Sequence, residues 1–167
     1  MIPKYIVVVA TSLDGKIATS STQKNWSSPE DQVHLRRMED SCDVLVMGRN
    51  TFDVAQANLS LRRVIVLSRT IEKGNGNRNH IYFNPEKMDL FAYLSERQYR
   101  RVCVLGGKEV YSFFFEHNAM DELFITREPV TLGEGIAFSD TPVKDGFRLR
   151  SVTVLNYKGS RVEKYVK

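Results

Sequence analysis

Short runs of apolar, mostly β-branched residues recur along this chain, separated by segments with the composition of helices. The runs cover residues 5–10, 44–47, 64–67, 81–83, 102–105 and 122–126. Because they are almost continuously apolar, we expect strands that are buried on both faces, as in a sheet covered by helices. Connections of this length suit right-handed crossovers between parallel strands. The alternation therefore predicts an α/β fold built on a mostly parallel sheet.

The end of the chain follows a different pattern. Residues 147–157 and 161–166 alternate apolar and polar side chains around Lys158-Gly159, which predicts an antiparallel hairpin at one edge of a mixed sheet. Residues 72–79 are rich in glycine and asparagine and predict a mobile surface loop, and residues 12–18 predict a turn after the first strand. A length of 167 residues without a linker or repeat predicts one domain over residues 1–167.

Composition excludes several classes of protein. No apolar stretch approaches the ~20 residues of a membrane helix, and the first residues lack a cleavage-like site, so we interpret them as a strand. The net charge is only +4 and the cationic residues are dispersed, which argues against nucleic acid and for a small anionic ligand.

The cysteines and histidines give no metal-ligand spacing. Cys42 and Cys103 lie in apolar surroundings without a CxxC motif, which predicts buried free thiols and a cytoplasmic protein. We interpret His34, His80 and His117 as surface or hydrogen-bonded side chains, and we expect no metal site.

Three predicted strands end in residues suited to holding an anion. At the carboxyl end of a parallel strand, glycine lets a ligand approach the backbone, and the start of the next helix directs amide hydrogens at a phosphate. Each end alone is equally typical of an ordinary turn with a solvated cation. Together they form one candidate site comprising Gly48, Arg49 and Thr51, then Ser68 and Arg69, then Gly106, Gly107, Lys108, Glu109 and Val110.

The first strand is not followed by the Gly-x-Gly-x-x-Gly dinucleotide fingerprint. A nucleotide would therefore be held by several crossovers jointly. Arginines at two separate strand ends favour a cofactor with an additional phosphate, which indicates NADPH over NADH.

A helix is predicted to begin near Ser28. Ser28, Pro29 and Asp31 fit an N-cap, a proline at the first position and an acidic residue at the third. Asp31 also shares a spacing of four, three and four with Leu35, Met38 and Cys42, which places its carboxyl group on the apolar stripe of the helix. A desolvated carboxyl group there would have a raised pKa and could anchor a ligand or supply a proton. The structural and functional roles both remain open at this point.

Two further side chains have alternative interpretations. Trp26 lies in the loop before this helix, where its indole would cover a flat ring or pack as a hydrophobic staple. Thr126 ends a predicted strand and would present its hydroxyl to the same crevice or serve only as a β-forming residue.

The motifs occur in an order that resembles the dihydrofolate reductase superfamily. They are ATSLDGKIAT, Trp26 with SSPED, VLVMGRNTFD, VLGGKEVY, DELFIT and LGEGIAF. Over nearly its whole length the chain is similar to the pyrimidine reductase domain of riboflavin biosynthesis. The resemblance implies a dihydrofolate reductase-like three-layer fold, NADPH as hydride donor, a small heterocyclic substrate, and a homodimer.

The resemblance also implies roles for individual residues. It places Ala10, Ile17, Gly106 and Gly107 near the nicotinamide, Gly48, Arg49 and Thr51 at the phosphates, and Ser68 and Arg69 toward the adenosine end. Trp26, Pro29 and Asp31 match the Trp-x-x-Pro-x-Asp of dihydrofolate reductases, in which the acid contacts the pterin and Thr126 supports it. Asp31 and Thr126 are therefore the candidate catalytic residues, and Trp26 is grouped with the cofactor-binding residues.

The two subfamilies share the motifs unequally. SLDGKIA and LGEGIAF resemble the riboflavin type, whereas GRNTFD and LGGKEVY resemble the folate type. Leu105 stands where riboflavin-pathway reductases usually carry glutamate, and Glu39 stands where we would expect an arginine for the ribose phosphate. We expect a stand-alone reductase, either of 5-amino-6-(5-phosphoribosylamino)uracil or of dihydrofolate. A module that binds NADPH without catalysis is the alternative from another functional class.

Overall fold

An eight-stranded mixed sheet forms the centre of the computed structural model, which describes residues 1–18, 26–70, 78–138 and 146–167. Its strands lie in the order β5-β4-β3-β6-β1-β7-β10-β9. The first six are mutually parallel, while β10 is antiparallel to both β7 and β9. The prediction of a mostly parallel sheet with an antiparallel C-terminal hairpin is therefore confirmed.

The strands of this sheet are β1 (Lys4–Thr11), β3 (Val44–Gly48), β4 (Val64–Leu67), β5 (His80–Phe83), β6 (Arg101–Val104), β7 (Glu122–Arg127), β9 (Arg148–Val154) and β10 (Arg161–Val166). The helices are α1 (Pro29–Asp40), α2 (Arg49–Ala55), α3 (Leu90–Glu96) and α4 (Lys108–Glu116), with a 3-10 turn at Gln56–Asn58. Within the described ranges, no helix has the length and apolarity needed to cross a membrane. Of the predicted loop 72–79, residues 72–77 lie outside the described ranges.

Apolar side chains cover both faces of the sheet. In β1, Tyr5, Val7 and Val9 join a core that includes Leu94 of α3 and Phe114 of α4. The alternate strand residues, such as Ile6 and Val8, belong to a second core with α1 and α2. Burial on two faces explains why the central strands, such as β1, β3 and β4, are almost continuously apolar.

Residues 12–18 form more than the predicted turn, because part of this segment is the short strand β2 (Lys16–Ala18). This strand pairs with β8 (Ile136–Ala137) in a separate two-stranded antiparallel sheet. Asp14 supports the pairing by accepting hydrogen bonds from the Ser12 hydroxyl at 2.6 Å and from the Gly133 amide at 2.8 Å. These bonds, with that from the Leu132 amide, lower the pKa of Asp14 to about 2. The partner segment lies more than 100 residues away, so the local sequence did not indicate this strand.

The predicted start of α1 is confirmed. Ser28 is the N-cap, its hydroxyl accepts the Asp31 amide at 3.2 Å, and Pro29 occupies the first helical position. Asp31 is only 5% exposed, as its position on the apolar stripe predicted, whereas Glu30 faces solvent.

The two cysteines are free thiols at the end of α1 and in β6. Cys103 is buried as predicted, but Cys42 is only partly buried, because it follows the C-cap of α1 in the connection to β3. The expectation of complete burial is therefore wrong for Cys42.

The Tyr111 hydroxyl joins α4 to the centre of the sheet by donating a hydrogen bond to the Val8 carbonyl oxygen at 2.8 Å. Tyr111→Phe removes the donor from a buried position, and we expect it to lower the free energy of unfolding by about 1–3 kcal/mol. Tyr157→Phe is the matched control, because Tyr157 is 94% exposed. Urea denaturation measures both variants, and equal stability losses would contradict this role of the Tyr111 hydrogen bond.

Candidate active site

The carboxyl ends of β3, β4 and β6 converge at one edge of the sheet, as expected for neighbouring parallel strands. Gly48 pairs with Leu67 in register, so Ser68 follows directly beside it. The Gly48 amide donates to the Gly106 carbonyl oxygen at 2.7 Å. We call the edge formed by residues 48–51, 68–70 and 105–110 the rim. The structure thus brings together the three predicted strand ends.

Two glycines of the rim lie where an added side chain would be crowded, to different degrees. At Gly106 the backbone has φ +87°, and an added Cβ would lie 2.7 Å from two ring carbons of Tyr111. An added Cβ at Gly48 would lie 3.3 Å from a methyl carbon of Val110. Gly106 is therefore required by both backbone conformation and packing, and both positions keep the rim surface close to the backbone.

Arg49 begins α2 and lies exposed on the rim. Its guanidinium is 3.4 Å from the Thr70 hydroxyl and 3.9 Å from the Asp53 carboxylate one turn later. The Thr70 hydroxyl is also 3.1 Å from that of Ser68. These contacts are long and solvent-exposed, so they leave the Arg49 side chain able to turn toward a ligand.

Arg69 is more firmly engaged than Arg49. Its guanidinium lies 2.7 Å from the Glu109 carboxylate and 3.8 Å from that of Glu86. Sequence reasoning placed Arg69 and Glu109 at the same candidate site but did not anticipate that they pair with each other. The ion pair connects the end of β4 to the first turn of α4 across the rim.

The amino end of α4 faces the rim. Gly107 is its N-cap and provides no side-chain cap, and the start of a helix favours an anion. Thr51 lies beside this turn, since its hydroxyl would be 3.8 Å from a Cβ at Gly107. Lys108 is partly buried at the helix start, and Val110 is buried against Gly48.

The remaining predicted residues lie along β1, β2 and the approach to α1. Ala10 pairs with Thr126 across the parallel β1–β7 ladder, at the same edge of the sheet as the rim. Ile17 in β2 packs against the core that contains Val9 and Tyr111. Trp26 is partly buried two residues before the N-cap of α1.

Asp31 and Thr126 are two buried polar residues that lie close together at the site. Thr126 is 1% exposed, and its hydroxyl has no hydrogen-bond partner among the described residues. Burial raises the pKa of Asp31, and the Glu128 carboxylate raises it further, whereas the Thr126 and Ser27 hydroxyls oppose the shift. The Thr126 hydroxyl is thus near enough to affect Asp31 while lying outside hydrogen-bonding geometry. A ligand with a hydrogen-bonding group at this place would satisfy the Thr126 hydroxyl beside Asp31.

Sequence reasoning missed several residues of this region. Glu128 is 2% exposed beyond β7 and is hydrogen-bonded to Ser28 and Ser160. No sequence signal marks it, because both partners are far away along the chain. His34 is half-buried, and its Nε2 atom is buried without a hydrogen-bond partner in the described ranges, which the sequence did not indicate. Burial lowers the pKa of His34, which favours the neutral ring.

Position 39 is at the far end of α1 from Asp31. Glu39 is buried there and lies 3.3 Å from the guanidinium of Arg62, near the amino end of β3. A glutamate instead of an arginine at this position therefore maintains a structural ion pair at the opposite edge from the rim. Among the residues described, no group of three or more histidine, cysteine or acidic side chains could hold a metal ion.

Comparison with known proteins agrees with this geometry. A sequence model of the family described as dihydrofolate reductase matches residues 4–141. Dihydrofolate reductase type 9 of Escherichia coli is 27% identical over 124 residues, covering 72% of this chain and 68% of that protein.

Two solved structures share the fold. The Enterococcus faecalis dihydrofolate reductase complexed with NADP(H) and RAB-propyl has a TM-score of 0.75 and 20% identity, covering 98% of this chain and 95% of that one. A Thermotoga maritima diaminohydroxyphosphoribosylaminopyrimidine deaminase/5-amino-6-(5-phosphoribosylamino)uracil reductase has a TM-score of 0.76 and 20% identity, covering 98% of this chain and 56% of that one. The predicted three-layer fold is confirmed, and because the family match extends over most of the sequence, the chain belongs to the dihydrofolate reductase family.

Proposed function

We propose that this family member is an NADPH-dependent reductase of a flat pyrimidine- or pterin-type heterocycle. The observation that carries the proposal is the placement of a buried carboxyl group, Asp31, at the same sheet edge as a glycine-lined, cationic rim. One part of the edge suits a dinucleotide and the other suits a ring with hydrogen-bonding nitrogen atoms. Membership of a family of reductases supports an oxidoreductase.

The rim residues fit a dinucleotide. Gly48 and Gly106 have no side chain, so a ligand can approach the backbone there. The first turn of α4 has no side-chain cap, and a helix start of this kind suits a phosphate. Arg49, Arg69 and Ser68 supply donors for phosphate oxygens. In this proposal Ala10, Ile17 and Gly107 contact the nicotinamide end of the cofactor, and the Trp26 indole covers a flat ring of the bound ligands.

The protein supplies position and electrostatics, while a bound nicotinamide supplies the hydride. Asp31 and Thr126 bind the polar edge of the substrate ring and orient its acceptor carbon. A carboxyl group with a raised pKa retains its proton to higher pH and can donate it to a ring nitrogen. Burial of both side chains excludes water from this hydrogen-bonding pair.

Two substrates remain candidates. The riboflavin-type motifs at residues 12–18 and 132–138 favour 5-amino-6-(5-phosphoribosylamino)uracil, whose ribosylamino C1 would accept the hydride. The folate-type Trp26-x-x-Pro29-x-Asp31 and the relative among dihydrofolate reductases favour dihydrofolate, whose pterin C6 would accept it.

A substrate panel tests this proposal directly. Purified protein should consume NADPH in the presence of a candidate substrate, and the reaction is measured as the loss of NADPH absorbance. The higher kcat/KM should be found with the phosphoribosylaminopyrimidine. Higher kcat/KM on dihydrofolate would assign the second substrate. Saturable NADPH binding without turnover on either compound would instead identify a non-catalytic NADPH-binding module.

Alanine variants of the two rim arginines test the choice of cofactor. A hydrogen bond to a charged group contributes about 1.5–3 kcal/mol, so Arg49→Ala should raise the Kd for NADPH about 10-fold or more and that for NADH much less. Arg69→Ala should show the same preference to a smaller degree, because Glu86 and Glu109 already pair with Arg69.

The matched control is Arg97→Ala, which removes a cation stacked on Tyr93 at the end of α3. Fluorescence titration of the wild type and the three variants with NADPH and with NADH gives the dissociation constants to be compared. If Arg49→Ala weakened the binding of NADPH and of NADH equally, a contact between Arg49 and the additional phosphate of NADPH would be excluded.

Asp31→Asn tests the proton source. Because the pKa of Asp31 is raised, the wild-type rate should fall as pH increases through that pKa. The variant should not show this decline of rate with pH, and at low pH its kcat should be about 10²–10⁴-fold lower than that of the wild type. The measurement is kcat against pH.

Stability provides an independent check on the same variant. A carboxyl group whose pKa is higher in the folded state binds more protons there, so its contribution to stability declines as pH rises from the unfolded to the folded pKa. Asp31→Asn should therefore raise the free energy of unfolding at neutral pH, measured by urea denaturation. Unchanged turnover at every pH would limit Asp31 to a structural role at the helix start.

A further inference from the structure

Glu128 is a buried carboxylate whose two oxygens receive three hydrogen bonds. Its Oε1 accepts the Ser28 amide at 2.8 Å and the Ser28 hydroxyl at 2.7 Å, and its Oε2 accepts the Ser160 hydroxyl at 2.5 Å. The residue is 2% exposed. Three donors arranged on both oxygens are the pattern expected for an ionised carboxylate, which only accepts.

These bonds join three segments that are distant in sequence. Ser28 is the N-cap of α1, and its hydroxyl accepts the Asp31 amide while donating to Glu128. Ser160 ends the turn between β9 and β10, where the Asn156 side chain accepts the Ser160 amide at 3.1 Å. Glu128 therefore fixes the amino end of α1 against both the end of β7 and the C-terminal hairpin.

The same turn also contacts α1 directly. The Asn156 side-chain amide donates to the Glu30 carboxylate at 3.1 Å and to the Ser160 hydroxyl at 3.0 Å. The first turn of α1 is thus held on two sides, at Ser28 by Glu128 and at Glu30 by Asn156. Asp31 follows immediately, so its position depends on this attachment.

Several ionisable groups surround Asp31. Along α1, Glu30 is exposed toward Asn156, and His34 is half-buried with a lowered pKa. From α4, Tyr111 faces the same interior, and burial raises the pKa of its hydroxyl. From β7 and the residues after it come the neutral Thr126 and the charged Glu128. Glu128 is therefore the buried negative charge that acts on Asp31 from across the site.

We propose that Glu128 is a positioning residue for the reductase reaction. It anchors the Ser28 cap that orients Asp31, and it places a negative charge close to the Asp31 carboxyl group. This inference rests on the proposed function, in which Asp31 contacts the substrate. Glu128 itself contacts protein groups and acts through Asp31. Its charge favours the protonated form of Asp31, which is the form able to donate to the substrate ring.

Glu128→Gln removes the charge while keeping the size of the side chain. The titration of the Asp31 carboxyl group, followed by ¹³C NMR and assigned with Asp31→Asn, should move to lower pH, because a neighbouring negative charge is removed. The pH at which kcat declines should move with it, while the Kd for NADPH should stay unchanged. Glu122→Gln is the control, because Glu122 is a buried glutamate at the other end of β7, where it pairs with Lys4 and Lys164 away from Asp31.

Ser160→Ala separates orientation from charge and remains informative if Glu128→Gln fails to fold. It removes one donor from Glu128 without changing any charge, so the Asp31 titration should move much less than in Glu128→Gln. Looser placement of α1 should raise KM for the substrate several-fold, with the Kd for NADPH unaffected. An Asp31 titration identical in wild type and Glu128→Gln, or an unchanged KM in Ser160→Ala, would overturn the inference.

The NMR titration needs no substrate, so it distinguishes the two proposals. If the wild type reduced none of the candidate substrates but the Asp31 titration still moved in Glu128→Gln, the reductase proposal would fail while the control of Asp31 by Glu128 would stand. If turnover occurred and the titration did not move, the reductase proposal would stand and the role of Glu128 would fail.

Discussion

The common direction of six strands is the constraint on which the site depends. Parallel strands end at the same edge of a sheet, so every crossover delivers the residues that follow its strand to one place. The bond from the Gly48 amide to the Gly106 carbonyl oxygen connects two such ends directly. Asp31 comes to the same edge differently, because the cap of α1 is attached to the residues after β7. The two halves of the proposed site thus have separate structural supports.

Two buried carboxylates at the amino end of α1 would be costly in an apolar interior. The helix start reduces this penalty, because its amide groups carry a partial positive charge that stabilises nearby anions. Glu128 uses the Ser28 amide and two hydroxyl groups, whereas the Thr126 hydroxyl beside Asp31 has no partner within the part of the chain that the structure describes. Glu128 is therefore held by protein groups on both oxygens, whereas Asp31 lies beside a hydroxyl that a ligand could engage.

Much of the fold was predictable because its signals are local. The apolar runs gave the strands, and Ser28 with Pro29 gave the start of α1, since each signal depends on a few neighbouring residues. The convergence of Gly48, Ser68 and Gly106 followed from one further rule, the parallel direction of the strands.

What could not be predicted depends on contacts between distant residues. Glu128 lies 100 positions from Ser28 and 32 from Ser160, and its own neighbours give no sign of these bonds. Likewise, Arg69 and Glu109 are 40 residues apart. Their positions after two strands predict a shared ligand site but not an ion pair between them. Side-chain pairing at a site of mixed charge depends on three-dimensional placement, which residue type and order alone do not determine.

The charge balance of the rim also bears on how a phosphate would bind there. Arg69 is flanked by the carboxylates of Glu86 and Glu109, so a phosphate at this position must displace them or share the guanidinium. Both ion pairs are exposed, and such pairs contribute only about 0–1 kcal/mol, so displacement is feasible. Arg49 has the longer contacts and needs less rearrangement. The two arginines are therefore unequal: Arg49 is free to provide initial attraction, while Arg69 becomes fully available only when a ligand competes with its carboxylates.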